Sequence, residues 1–159
     1  MKKSLMFASA IVAMAFAVSF SSCGSKGCMN INDDKYDAEA TVSDETACDA
    51  TATDAKFAGN WTFTIAGTSD TYAVNVTDAT EDYKITANTD LGLSGVGISP
   101  VNVALTVSQD EATASSFNIG NATITNLKLT YKSASSATLS GTISGTGIAD
   151  GHFLDNGTK

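Results

Sequence analysis

Val101-Asn102-Val103-Ala104-Leu105-Thr106-Val107-Ser108 decides the fold class. Its odd positions are Val, Val, Leu and Val; its even positions are Asn, Ala, Thr and Ser. A strand turns successive side chains to opposite faces, so this period of two gives one apolar and one polar face. The pattern recurs on both sides. Upstream, Trp61, Phe63 and Ile65 alternate with Thr62 and Thr64, and Tyr72, Val74 and Val76 with Ala73 and Asn75. Tyr83, Ile85 and Ala87 alternate with Lys84 and Thr86. Downstream, Leu127, Leu129 and Tyr131 alternate with Lys128, Thr130 and Lys132, while Leu139 and Ile143 lie among Thr138, Ser140, Thr142 and Ser144. Weaker strands fit around Leu91 to Ile98 and Phe117 to Ile124, and Ile148 to Lys159 reads either as a last edge strand or as a loose tail.

Between these runs stand Gly67-Thr68-Ser69-Asp70, Asp78-Ala79-Thr80-Glu81, Asn88-Thr89-Asp90, Ser99-Pro100, Gln109-Asp110-Glu111 and Ser133-Ala134-Ser135. Gly, Asp and Asn ease tight reversals, and gaps this short join neighbouring antiparallel strands. About eight strands joined in order over about 100 residues predict an all-β antiparallel meander. One sheet would leave its apolar face in water, so the chain is expected to close as a small barrel, with a β-sandwich as the alternative.

Outward from this domain the composition changes. In residues 23–56, Asp33, Asp34, Asp37, Glu39, Asp44, Glu45, Asp49 and Asp54 are interspersed with Ala, Thr and Ser. So few large apolar residues cannot offset the entropy of ordering, which predicts an acidic, flexible tether. Asp33, Asp34 and Asp37 lack the regular spacing of a calcium loop, and no metal site is expected. Before the tether, Lys2 and Lys3 precede a mostly apolar run from Leu5 to Phe20, then Ser21, Ser22 and Cys23. This is the pattern of a secretory signal peptide. Phe20-Ser21-Ser22-Cys23 resembles the lipobox of bacterial lipoproteins, which implies cleavage before Cys23 and acylation of that cysteine. The expected organisation is therefore a signal peptide over 1–22, a lipidated Cys23 with an acidic tether over 23–56, and a β-barrel domain over 57–159. The protein is expected to cross the inner membrane and to be lipid-anchored in the cell envelope, at the outer membrane. Cys28 and Cys48 then remain as an even pair in an oxidising compartment. They are candidates for a disulfide, although their segment offers no visible core.

Charge excludes some partners. All 17 acidic residues follow Cys23, where no arginine is present. Nucleic-acid binding needs a basic footprint, so no nucleic-acid partner is expected, and the membrane is reached through the lipid. Catalytic constellations are also missing. His152 stands alone in Asp150-Gly151-His152-Phe153, and no Gly-x-Ser-x-Gly elbow supports a triad. Glu81-Asp82 and Asp110-Glu111 read as charged hairpin tips. No catalytic residue, cofactor or enzymatic activity is expected.

Gly59-Asn60-Trp61 opens the first strand. This Gly-x-Trp resembles the first-strand signature of lipocalins and other calycins. With the lipobox and the meander, the chain resembles small calycin-like bacterial lipoproteins. The resemblance implies a barrel with Trp61 plugging its closed end and a small hydrophobic or amphiphilic ligand held without catalysis. Trp61, Tyr72, Tyr83, Phe117 and Tyr131 are the candidate ligand-lining residues, since an aromatic wall with hydroxyl handles suits such a ligand. The rival expectation is a structural or interaction module of the envelope, its core filled by those same side chains and holding no ligand.

Overall fold

In the computed structural model, which describes residues 24–145 and 150–159, the alternating segments form one closed antiparallel barrel. The chain first makes two short parallel strands, β1 (Lys26–Gly27) and β2 (Val42–Ser43), and a short helix, α1 (Ala50–Ala55). The barrel strands follow: β3 (Gly59–Thr64), β4 (Thr71–Asp78), β5 (Lys84–Thr89), β6 (Val101–Ser108), β7 (Glu111–Ile119), β8 (Ala122–Ser133), β9 (Ser136–Gly145) and β10 (Gly151–Thr158). Each pairs with the next in sequence, and β10 returns to β3 through Asn156–Thr64, Gly157–Phe63 and Thr158–Thr62. That last pairing decides for a barrel over a sandwich. It also makes the C-terminal segment a closing strand, so the sheet has no free edge between β10 and β3.

The register turns the apolar positions inward together. Trp61 lies opposite Val74, Ala87 opposite Val103, Ile85 opposite Leu105, and Leu129 opposite both Ala112 and Leu139. All of these are buried. Trp61, Phe63 and Tyr72 form an aromatic row with successive ring centroids 6.5 and 5.8 Å apart. Large side chains thus occupy the barrel axis, and burying each stabilises the fold by about 1.5–3 kcal/mol before entropy is counted.

Three segments depart from expectation. Leu91 to Ile98 is a loop with a 3₁₀ turn at Leu93–Val96, flanked by Gly92 and Gly97 at φ 77° and 78°, a left-handed backbone that no strand accommodates. Phe117 to Ile124 contains a hairpin reversal at Gly120-Asn121 and belongs to two strands, β7 and β8. The preceding part of β7 carries Ala, Thr and Ser, so its alternation is faint. Inward positions also change phase, from Ala112 and Ala114 to Phe117 and Ile119. A matching phase change in β8 occurs at Asn126, whose φ is 53°.

Residues 24–56 correct the expectation of a flexible tether. They form a cap docked on one end of the barrel. Cys28 and Cys48 are joined by a disulfide. Asp33 is fully buried, and its carboxylate accepts hydrogen bonds from Lys35 N (2.8 Å), Asp49 N (2.7 Å) and the Tyr83 hydroxyl (2.9 Å). Gln109 N donates to Asn32 O (2.8 Å), and Lys56 pairs with both Asp34 and Asp110. Polar bonds and a covalent link hold this segment in place, and apolar periodicity records neither.

Candidate functional site

An antiparallel meander puts alternate connections at opposite ends. The cap covers the end that carries the β4–β5 and β6–β7 hairpins. Trp61 is buried toward that end; its Nε1 donates to Phe57 O (2.7 Å), and Lys159 Nζ lies 4.9 Å from its ring centroid. Tyr131 packs edge-on against Phe57, with centroids 5.9 Å apart. Tyr83 sits in the β4–β5 turn with φ 59°, and burial, then the hydrogen bond to Asp33, pushes its phenol up to about 12.

The other end carries the β3–β4 link, the β5–β6 loop and the β7–β8 hairpin. Tyr72 starts up there on β4, buried, with its hydroxyl donating to Asp155 Oδ2 (2.7 Å). Burial first, then Asp155, hold this hydroxyl far above the ordinary phenol range. Phe117 is half-buried against the core near the same end. The five candidate aromatics therefore divide between the two ends and the packed interior instead of lining one space. Cys23, the proposed attachment point, lies outside the described residues.

At the uncapped end a niche of about 220 Å³ opens to solvent, lined by Ile65, Leu91, Gly92, Leu93, Ile143 and Phe153, with Asp155 as its charged member. β6 and β7 pair only over Val107–Ala112 and its two neighbours, so the sheet splits beyond them. The β5–β6 loop enters this gap, and Ile98 rests on Gly120. Gly92 floors the niche: its φ is 77°, and a Cβ there would meet Ile65 Cδ1 at 2.9 Å and Tyr72 Cδ1 at 3.3 Å. Asp155 is 4% exposed and accepts from Ala66 N (2.9 Å) as well as from Tyr72.

Sequence reasoning placed Ile65 and Ile143 correctly on inward faces but did not join them to a site. It missed Phe153 and Asp155, although Phe153, Asp155 and Gly157 are spaced two apart and all turn inward. An acidic residue in phase with two inward neighbours was the available signal.

Two other features are chemically plainer. A groove of about 590 Å³ along the cap is lined largely by polar side chains, among them Asn30, Glu45, Asp49, Thr51 and Asp82. Cys28, Asp33 and Cys48 lie close together, but both sulfurs belong to the disulfide and no thiolate is available to a metal there.

Comparison with known proteins finds no matching family model, no matching curated protein and no matching solved structure. The functional reading therefore stands on the barrel, its niche and the sequence motifs.

Proposed function

We propose that this chain is a lipid-anchored protein of the cell envelope whose barrel binds a small hydrophobic or amphiphilic ligand without catalysis. The observation that carries this reading is the apolar niche at the uncapped end. Ligand sites are concave, mainly apolar and furnished with a few placed polar groups. Ile65, Leu91, Leu93, Ile143 and Phe153 supply the walls, and Asp155 and Tyr72 supply the polar pair. An apolar cavity of about 150 Å³ holds a benzene-sized guest, so the niche suits a single ring or a short alkyl body. The filled axis moves the ligand from the barrel interior to its mouth. A non-catalytic role fits a niche whose one charged group is already hydrogen-bonded twice. His152 is exposed, with its Nδ1 2.8 Å from Thr142 Oγ1.

The lipobox-like Phe20-Ser21-Ser22-Cys23 supports the anchor, and the calycin-like Gly59-Asn60-Trp61 supports the binding role. A second reading, an envelope module with no ligand, draws on the filled axis. Thermal unfolding of the full chain with a panel of small neutral aromatic and alkyl probes separates the two. Binding by the folded state alone at 100 times Kd stabilises by about 2.7 kcal/mol, so a binder unfolds at a higher temperature. Leu93→Trp, which fills the niche, should abolish that response. A panel without effect on the native chain would favour the ligand-free module.

A further inference from the structure

We propose that the niche selects organic cations: an ammonium group carried on an apolar body about the size of one ring. This rests on the reading that the niche takes a ligand and names the chemistry it takes.

Asp155 carries the selectivity. Its two resolved donors, Ala66 N and the Tyr72 hydroxyl, are both neutral. No ion pair among the described residues includes Asp155. A carboxylate offers about four acceptor positions, so two remain after these bonds. A buried charge is costly unless it is paired, and this one borders a cavity.

The distribution of cations sharpens the point. Arginine is absent from the chain. Among the described residues, Lys26 and Lys35 lie in the cap, and Lys56 bridges the cap to the β6–β7 turn. Lys84 begins β5 beside Glu81, Lys128 pairs with Glu111, Lys132 is the penultimate residue of β8, and Lys159 lies over Trp61. Every described lysine therefore belongs to the capped half. The open end instead carries Asp70, Asp90, Asp150 and Asp155. Its field attracts cations and repels anions.

The walls complete the recognition. Phe153 presents an aromatic ring in the niche, and an ammonium beside such a ring gains a cation–π contact. Tyr72 holds its proton on the bond to Asp155, which leaves the carboxylate as the acceptor that a ligand N–H meets. An ammonium directed at Asp155 with its apolar body against Leu91, Leu93 and Ile143 satisfies every group lining the cavity.

Calorimetric titration of the full chain with benzylammonium, benzyl alcohol and benzoate at low and high salt tests this. Benzylammonium should bind about tenfold tighter than benzyl alcohol, as a charge-assisted hydrogen bond adds, and lose part of that margin in high salt. Benzoate should bind more weakly than either. Asp155→Asn should lose the preference for the cation, so that the ratio of benzylammonium to benzyl alcohol affinity falls to about one. Equal binding of the cation and the alcohol to the native chain would overturn the selectivity while leaving the niche reading intact. Persistence of the preference in Asp155→Asn would overturn the role of Asp155. Failure of all three probes to bind would remove both proposals. If Asp155→Asn does not fold, the ratio of the two probes on the native chain, with its salt dependence, still decides.

Discussion

Asp54 is buried, and its Oδ1 has no hydrogen-bond partner, while Oδ2 accepts from Lys84 N at 3.3 Å. Burial raises its pKa above the ordinary carboxylate value, and Asp78 and Asp82 push it in the same direction. The sign follows from linkage. A carboxyl with a raised folded-state pKa binds its proton more tightly when folded, so its contribution to stability falls as pH rises through that pKa. At neutral pH ionised Asp54 is a liability, retained to hold α1 against the β4–β5 turn. Asp54→Asn keeps an acceptor for Lys84 N and removes the charge. We expect it to raise stability at pH 7, because a buried charge is removed, with the gain shrinking toward pH 4. Thermal unfolding at the two pH values checks this; a variant less stable than the native chain at pH 7 would contradict it.

The cap is the element whose behaviour departs most from its composition. Its disulfide spans 20 residues, a closure worth up to about 3 kcal/mol in the chain-entropy argument. Without that link, Asp33 would be the main group holding the cap on Tyr83. Replacing both Cys28 and Cys48 with Ser should therefore loosen the cap and leave the barrel strands paired. Two readouts follow. The Tyr83 phenol should titrate lower than about 12, toward the ordinary tyrosine value, as burial and Asp33 are lost. The Gln109 amide, which donates to Asn32 O, should exchange faster with solvent, while amides within β3 and β4 keep their protection. Unchanged Tyr83 titration in the double variant would mean that the polar bonds hold the cap alone. The same physics explains what the sequence made legible. Strands such as β4 and β6 were plain because every second side chain is bulky and apolar. β7 was faint because its inward residues begin with two alanines, Ala112 and Ala114, and then change phase. β10 was left open between a last edge strand and a loose tail because His152, Asp155, Asn156 and Gly157 mask the inward spacing of Phe153. The cap could not be read from periodicity at all, since one buried aspartate and one covalent bond organise it. The niche is assembled from the β3 end, the β5–β6 loop and the last strands, which only the closed ring brings together.

At the scale of the whole molecule, ring closure rests on a narrow seam. β10 pairs with β9 over eight positions from Gly151–Ile143 to Thr158–Ser136, but with β3 over only three. Two side-chain bonds reinforce that weak side: Asp155 links β10 to Tyr72 on β4 and to Ala66 beyond β3. Gly157 sits within the three pairs, turned inward, and a Cβ there would run into the Phe63 ring, with Cζ 2.7 Å away. The glycine is needed so that a large aromatic can fill the axis where the ends of the sheet meet. Gly157→Val should therefore force Phe63 out of place or part β10 from β3, at a cost of about 1–3 kcal/mol for overpacking. The loss should appear as a lower midpoint in one cooperative transition, with altered Trp61 fluorescence, because the Trp61 and Phe63 rings are neighbours with centroids 6.5 Å apart. His152→Val on the exposed face of the same strand should change stability by less than about 0.5 kcal/mol, as surface substitutions usually do. Should Gly157→Val unfold at the native temperature with native fluorescence, the ring would not close against Phe63. The niche, which needs Phe153 and Asp155 held beside Ile65, would then lose its structural basis.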